Sequence, residues 1–119
     1  MYDLGILNGE IYQDGSWTCG NLYVKSGKIA AISEGFAACR QEYDVAGKMV
    51  LPGFIDPHVH FSMDAGKYTT ADTFYSGSVA AAMGGVTTFI DFLDCAGSVE
   101  HLEQLFQQRR EMAASSVVD

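Results

Sequence analysis

The sequence has few basic residues, few cysteines and no long apolar run, and each shortage excludes a class of protein. Its 7 Lys and Arg residues stand against 15 Asp and Glu residues, which gives a net charge of −8. Nucleic acids and anionic membrane surfaces bind clustered Lys and Arg, so we expect neither as a partner. No stretch approaches the ~20 apolar residues of a membrane-spanning helix, and the N-terminus lacks the pattern of a secretory signal peptide.

Cysteine is scarce and irregularly placed. The three residues Cys19, Cys39 and Cys95 are widely spaced and odd in number. They fit neither a zinc knuckle nor a disulfide framework, so a reducing cytoplasm is the expected location. The remaining composition, 48% hydrophobic and 18% charged residues, is that of an ordinary globular protein.

The first part of the chain is a series of short strand patterns separated by turns. The strand patterns fall at 3–12, 21–24, 28–32, 42–45 and 49–51. Asn8-Gly9, inside the first of them, is either a tight hairpin or a local bend. We expect a small antiparallel sheet, with residues 34–40 as a loop.

From Pro52-Gly53 onward the pattern changes to strands that alternate with helices. Apolar strands are predicted over 54–60 and 86–93, with an irregular polar loop over 61–71. A helix joins the two strands, which makes them parallel neighbours in an α/β layer.

Both helices have end signals. Thr70 or Asp72 is the predicted N-cap of the first helix, which Gly84-Gly85 ends. Ser98 is the predicted N-cap of the second. The apolar stripe of the second helix follows helical spacing through Leu102, Leu105, Phe106, Arg109, Met112 and Ala113. Within it, Arg109 is expected to lie along the stripe by its stem or at its edge.

Val117-Val118 has the pattern of a further strand. A complete (β/α)8 barrel needs ~250 residues, whereas only about 65 follow Pro52. We therefore expect the chain to be the N-terminal piece of a larger protein.

The candidate chemistry is concentrated in His58-Val59-His60. Side chains at i and i+2 of a strand point to the same side, so both imidazoles share one face, together with Asp56. Burying such a polar face is costly unless something satisfies it. Because neutral imidazole is the commonest ligand of divalent metals, His58 and His60 are predicted to bind a divalent metal, with zinc as the first choice.

The alternative is a pair of partly exposed histidines that alternate by chance. Three features argue against this alternative. Asp56 extends the polar face, and Leu51-Pro52-Gly53 marks the start of the strand. The histidines also lie near the C-terminal end of a parallel strand, where α/β active sites lie. Catalytic zinc usually has three protein ligands. His101, the remaining histidine, is expected to face solvent at the start of the second helix, so further ligands are expected beyond residue 119.

Other polar residues near the histidines have several possible roles. Asp56 could bind the metal, orient an imidazole or cap the strand, and the orienting role is favoured. Asp91, near the end of the second strand, is expected to be a hydrogen-bonding carboxylate. Phe61, Ser62 and Met63 follow the histidines and either line a pocket or pack within the loop.

Together these segments resemble the metal-dependent amidohydrolase superfamily. Residues 51–60, LPGFIDPHVH, resemble the first barrel strand of that superfamily, and residues 72–92 resemble the next helix and strand of its hydantoinase/dihydropyrimidinase branch. Leu7-Asn8-Gly9 and the segment 25–29 are similar to the small β-domain that precedes the barrel there.

The resemblance implies an α/β fold in two parts. Residues 1–52 would be an antiparallel β-sandwich portion, and residues 53–119 the first β-α-β-α units of an incomplete (β/α)8 barrel. It implies that His58 and His60 bind one or two metal ions with ligands from elsewhere: a carboxylated lysine, two histidines and a catalytic aspartate. On this basis no catalytic residue lies within the chain, which alone is expected to be inactive.

The resemblance also implies an activity. Dihydroorotases usually carry an arginine two residues after the second histidine, whereas Ser62 stands there in this chain, and Phe61-Ser62-Met63 is more similar to the hydantoinase substrate loop. The implied activity is hydrolysis of the ring amide C–N bond of hydantoins or dihydropyrimidines by a cytoplasmic homo-oligomer. The alternatives are a deaminase, deacetylase, allantoinase or dihydroorotase on the same scaffold, or a non-catalytic interaction protein.

Overall fold

A computed structural model describes residues 1–93 and 100–119, and the chain divides into two units, Met1–Pro52 and Gly53–Asp119. The predicted N-cap Ser98 and the cysteine Cys95 lie outside the described residues. None of the helices within residues 1–93 and 100–119 has the length and apolar character that a membrane span requires.

The first unit is a five-stranded sheet centred on its first strand. The strands are β1 (Tyr2–Gln13), β2 (Ser16–Lys25), β3 (Lys28–Ser33), β4 (Cys39–Asp44) and β5 (Met49–Val50). On one side of β1, β2 and then β3 follow in antiparallel order. On its other side, β4 and β5 run parallel to β1. The antiparallel prediction therefore needs correction for these two strands.

β4 is parallel to β1 because the chain turns back after β3. Residues 34–38 pass over Tyr23, whose hydroxyl donates to the Gly35 carbonyl at 3.0 Å and accepts the Ala37 N–H at 2.9 Å. The Tyr2 N–H then bonds the Ala38 carbonyl at 3.0 Å, so β4 starts beside the beginning of β1. Tyr23 is 1% exposed, so the connection between β3 and β4 packs around a buried side chain.

Asn8-Gly9 is a bend within β1 rather than a hairpin. The pairing with β2 shifts register between Ile6 and Gly9, and Asn8 has a φ of 58°. The buried side chain of Asn21 accepts the Asn8 N–H at 2.9 Å, which satisfies the donor that the bend removes from the ladder.

The second unit alternates strands and helices as predicted. Its elements are β6 (Phe54–Val59), α1 (Phe74–Met83), β7 (Val86–Asp91) and α2 (Leu102–Ala113). β6 and β7 are parallel neighbours. Beyond α2, Asp119 accepts the Phe89 N–H at 2.9 Å and donates to the Thr87 carbonyl at 3.2 Å. This is the bonding pattern of a parallel pair, so the segment after α2 begins to pair with β7 as the predicted third strand would.

α1 begins with a capping box at a different residue from the predicted one. Thr73 Oγ1 accepts the Ser76 N–H at 3.1 Å, and Ser76 Oγ accepts the Thr73 N–H at 3.0 Å. Asp72 instead accepts from Ser76 Oγ at 3.0 Å. Serine three residues after the cap replaces the usual Glu or Gln, which explains why this signal is easily missed. The helix ends at Gly84, as predicted.

α1 packs against the ring of Phe61 through a glycine. Gly77 is buried, and a Cβ added to it would lie 2.1 Å from Cε1 of Phe61. The half-buried Phe61 ring also contacts the rings of Phe74 and Phe89, with centroids at 5.7 and 5.0 Å. The close approach of α1 to the chain after β6 therefore requires glycine at this position.

We expect Gly77→Ala to lower the free energy of unfolding by about 1–3 kcal/mol, because the new methyl group overpacks the Phe61 ring. Urea unfolding measures the change. Gly84→Ala is the matched control, since Gly84 has a φ of −86° and its Cβ would meet nothing closer than 3.4 Å. Equal stability of the two variants would show that Phe61 is free to move aside.

Candidate metal centre

β6 bulges at Pro57 and His58. Its register with β7 shifts between the pairs Asp56–Phe89 and Val59–Asp91. Pro57 has no N–H to donate, and the His58 N–H bonds Asp56 Oδ1 at 3.1 Å instead of a neighbouring strand. The strict alternation predicted from Asp56 to His60 is therefore interrupted. The described bond of Asp56 is to backbone, and its role in orienting an imidazole stays a prediction.

The two imidazoles nevertheless face each other at the end of β6. The Nε2 atoms of His58 and His60 lie 2.9 Å apart, and the ring centroids lie 4.9 Å apart. The ring of Phe92 packs against both, with centroids 4.4 Å from His58 and 5.4 Å from His60. His58 is exposed and His60 is half-buried, so solutes reach the converging nitrogens.

The separation of these two nitrogens can be compared with that of two ligands of one cation. Two Nε2 atoms bonded to one tetrahedral Zn²⁺ at about 2.0–2.1 Å lie about 3.3–3.4 Å apart. The observed separation of 2.9 Å is that of a hydrogen bond between the two imidazoles, so binding one ion requires the rings to part by about 0.4–0.5 Å. Within residues 1–93 and 100–119, no third His, Cys, Asp or Glu joins them in a metal-binding group. The described residues thus bring together two candidate ligands.

His101 lies at the start of the second helix, as predicted. It is the N-cap residue of α2, is exposed, and makes no side-chain capping bond. It does not join the two imidazoles, which makes it a natural reference histidine for experiments.

Asp91 and Arg109 form a half-buried ion pair at the end of β7. Arg109 Nε donates to Asp91 Oδ2 at 2.5 Å, and an Nη atom donates to Oδ1 at 2.7 Å. The side chains are 17% exposed for Arg109 and 11% for Asp91. Asp91 is therefore the hydrogen-bonding carboxylate that the sequence predicts. Arg109 was predicted to lie along the apolar stripe by its stem or at its edge. It lies within the stripe, and its guanidinium is turned inward to Asp91.

The guanidinium of Arg109 makes two further contacts. It donates to the backbone carbonyl of Phe61 at 2.6 Å, and its Cζ lies 4.6 Å from the centre of the Phe74 ring. One side chain of α2 thus contacts β7, the chain that follows β6, and α1.

The residues after His60 divide between two environments. Phe61 belongs to the aromatic cluster with Phe74 and Phe89. Ser62 and Met63 line a cavity of about 390 Å³, together with Phe92 and Arg109. Contact of these loop residues with substrate stays a prediction.

Sequence reasoning missed Phe92 and the partner of Arg109. Alternation along β7 was a signal for Phe92, because it follows Asp91 directly and so points to the other side of the strand. An arginine within an apolar stripe was a signal for a buried acidic partner, and Asp91 was available.

The protein-family comparison defines the class of this protein. The model of the amidohydrolase family matches residues 49–118, more than half of the chain. The chain belongs to the amidohydrolase family, as the sequence motifs predict.

Curated relatives and solved structures narrow the branch. A D-hydantoinase from Rhizobium radiobacter is 40% identical over 90 residues, which cover 76% of this chain and 20% of the relative. A dihydroorotase from Methanothermobacter thermautotrophicus is 34% identical over 119 residues, 100% of this chain and 26% of the relative. A D-hydantoinase crystal structure superposes with a TM-score of 0.91 and 36% identity, over 100% of this chain and 26% of that one.

A D-hydantoinase (dihydropyrimidinase) from Thermus sp. superposes with a TM-score of 0.88 and 35% identity, over 98% of this chain and 26% of that one. These similarities confirm the predicted hydantoinase-like branch and the α/β fold class. The chain spans between a fifth and about a quarter of the length of the relatives described above.

We expect Asp91→Ala to lower the free energy of unfolding by about 3–5 kcal/mol, because it leaves the guanidinium of Arg109 buried without its counter-charge. Thermal or urea unfolding measures the loss. Arg40→Ala is the control, since the Arg40–Asp3 pair is exposed and removing such a pair changes stability by about 1 kcal/mol or less. Similar losses in both variants would contradict the special position of Asp91.

Proposed function

We propose that this chain supplies the first metal ligands of a cyclic amidohydrolase that hydrolyses the ring amide bond of hydantoins or dihydropyrimidines. The observation that carries the proposal is the convergence of the His58 and His60 Nε2 atoms, 2.9 Å apart, at the end of a parallel strand. Relatives named hydantoinase and dihydroorotase both point to cyclic amides as the substrate class.

In this proposal His58 and His60 hold a divalent metal, for which zinc suits the imidazole ligands. Such a metal lowers the pKa of water and polarises a carbonyl group. Phe92 covers one side of both rings and fixes their orientation. Asp56 fixes the bulge from which His58 projects, through its bond to the His58 N–H.

The rest of the catalytic machinery belongs to further polypeptide in this proposal. The described residues hold two ligands, and the chain spans only part of its relatives. Residues 1–52 then form a β-sandwich portion, and residues 53–119 form the start of the (β/α)8 barrel. The further ligands and the catalytic acid–base group come from later strands of that barrel.

The cavity beside Phe92 favours an uncharged substrate ring over a carboxylate such as dihydroorotate. Ser62, which lines it, is neutral. Arg109 is the only cation among the described lining residues, and its charge is already balanced by Asp91. A substrate carboxylate would therefore lack a free cation there.

Replacing either proposed ligand should release metal from the intact protein, by which we mean this chain together with the further polypeptide of the proposal. We expect His58→Ala and His60→Ala to weaken metal binding by more than about tenfold, because even the outer partners of metal ligands typically contribute 10–100-fold. Elemental analysis after dialysis measures bound metal per chain. His101→Ala is the control and should retain the wild-type metal content. Unchanged metal in His58→Ala would refute the ligand assignment.

The substrate preference should follow the neutral character of Ser62. We expect the intact protein to hydrolyse hydantoin or dihydrouracil with a higher kcat/KM than dihydroorotate, and His58→Ala to abolish that turnover. The loss of ultraviolet absorbance measures ring opening. The 119-residue chain alone should show no turnover above buffer, because it holds two ligands only. A preference for dihydroorotate would move the protein to that alternative activity.

A further inference from the structure

We infer that Arg109 is a positioning residue for the imidazoles of His58 and His60, an inference that rests on the proposed metal site. The structural unit involved is the Arg109 clamp, which consists of the Arg109 guanidinium, the Asp91 carboxylate and the Phe61 backbone. The clamp contacts neither imidazole directly. It acts through the residues adjacent to them.

Each end of the clamp is one residue away from the rings of the candidate site. Phe61, whose carbonyl accepts from Arg109 at 2.6 Å, directly follows His60. Asp91, held by two hydrogen bonds, directly precedes Phe92, the ring that packs on both imidazoles. The Phe61 N–H also lies 3.4 Å from Asp91 Oδ1. The guanidinium of Arg109 thus bonds both the residue that follows His60 and the residue that precedes Phe92.

The Arg109 clamp contacts the chain just beyond the last pair of β6 and β7. Val59–Asp91 is the last pair between β6 and β7 among the described residues. His60 lies beyond that pair, so its backbone is fixed by the bonds of the residue that follows it. A planar guanidinium that bonds a carboxylate with two donors defines distance and angle together, which a point charge does not.

Stability alone is a weak reason for this ion pair. A buried pair is often no more stabilising than apolar side chains of similar size, because desolvation offsets the attraction. The stripe around Arg109 consists of apolar side chains such as Leu105, Phe106 and Met112, so an apolar residue would suit that position. The geometry that the fork imposes on Phe61 and Asp91 is the better explanation.

The experiment compares two adjacent arginines of α2 in the intact protein. Arg109→Lys keeps the positive charge but loses the two-donor fork, whereas Arg110→Lys makes the same change at an exposed position. Three quantities are measured: the Kd for Zn²⁺ by competition with a chelator, the visible absorption spectrum of the Co²⁺-loaded protein, and the Tm of the metal-free protein.

We expect Arg109→Lys to raise the Kd for Zn²⁺ by about 10–100-fold, the range found for residues that orient metal ligands. The Co²⁺ spectrum should change, and kcat should fall by a larger factor than KM rises. Arg110→Lys should leave all of these at wild-type values. If Arg109→Lys fails to fold, Asp91→Asn, which keeps the shape of the side chain, is used with the same expectations.

The outcomes separate the clamp from the proposed function. A lower Tm of metal-free Arg109→Lys with unchanged Kd and Co²⁺ spectrum would make the clamp purely structural and overturn this inference. A wild-type protein that binds no metal, or a His58→Ala variant that retains it, would refute the proposed function itself. Metal binding that depends on His58 but not on Arg109 would refute the role of the clamp and leave the proposed function standing.

Discussion

The ion pair between Arg109 and Asp91 is the interaction on which the second unit depends. Through it one side chain of α2 contacts the end of β7, the backbone after β6 and the Phe74 ring of α1. Elements distant in the sequence are therefore joined at one point, next to the histidines. A change of partner at that point would alter the path of the chain on both sides of the imidazoles.

Local patterns predicted much of the architecture. Apolar runs predict the strands of the second unit, and Gly84-Gly85 predicts the end of α1, because glycine is favoured just past a helix end. Strand geometry predicts that His58 and His60 share one side, and their rings do meet although the register of β6 shifts between Asp56 and Val59. Motifs that depend on residues close in sequence were thus recovered.

Contacts between distant residues account for what the sequence did not predict. β4 runs parallel to β1 because the Tyr23 hydroxyl holds residues 34–38, and nothing in that segment signals a tyrosine as its partner. The inward turn of Arg109 depends on Asp91, 18 residues earlier and on another element. Burial of the Phe61 ring depends on Gly77, where the missing side chain makes the space.

In the proposed site, the nitrogens of His58 and His60 converge because they bind one cation. Anomalous X-ray scattering at the zinc absorption edge, from crystals of the intact protein grown with Zn²⁺, tests it most directly. We expect a peak about 2.0–2.1 Å from Nε2 of both histidines. A zinc peak at other residues, with the two imidazoles still bonded to each other, would contradict it.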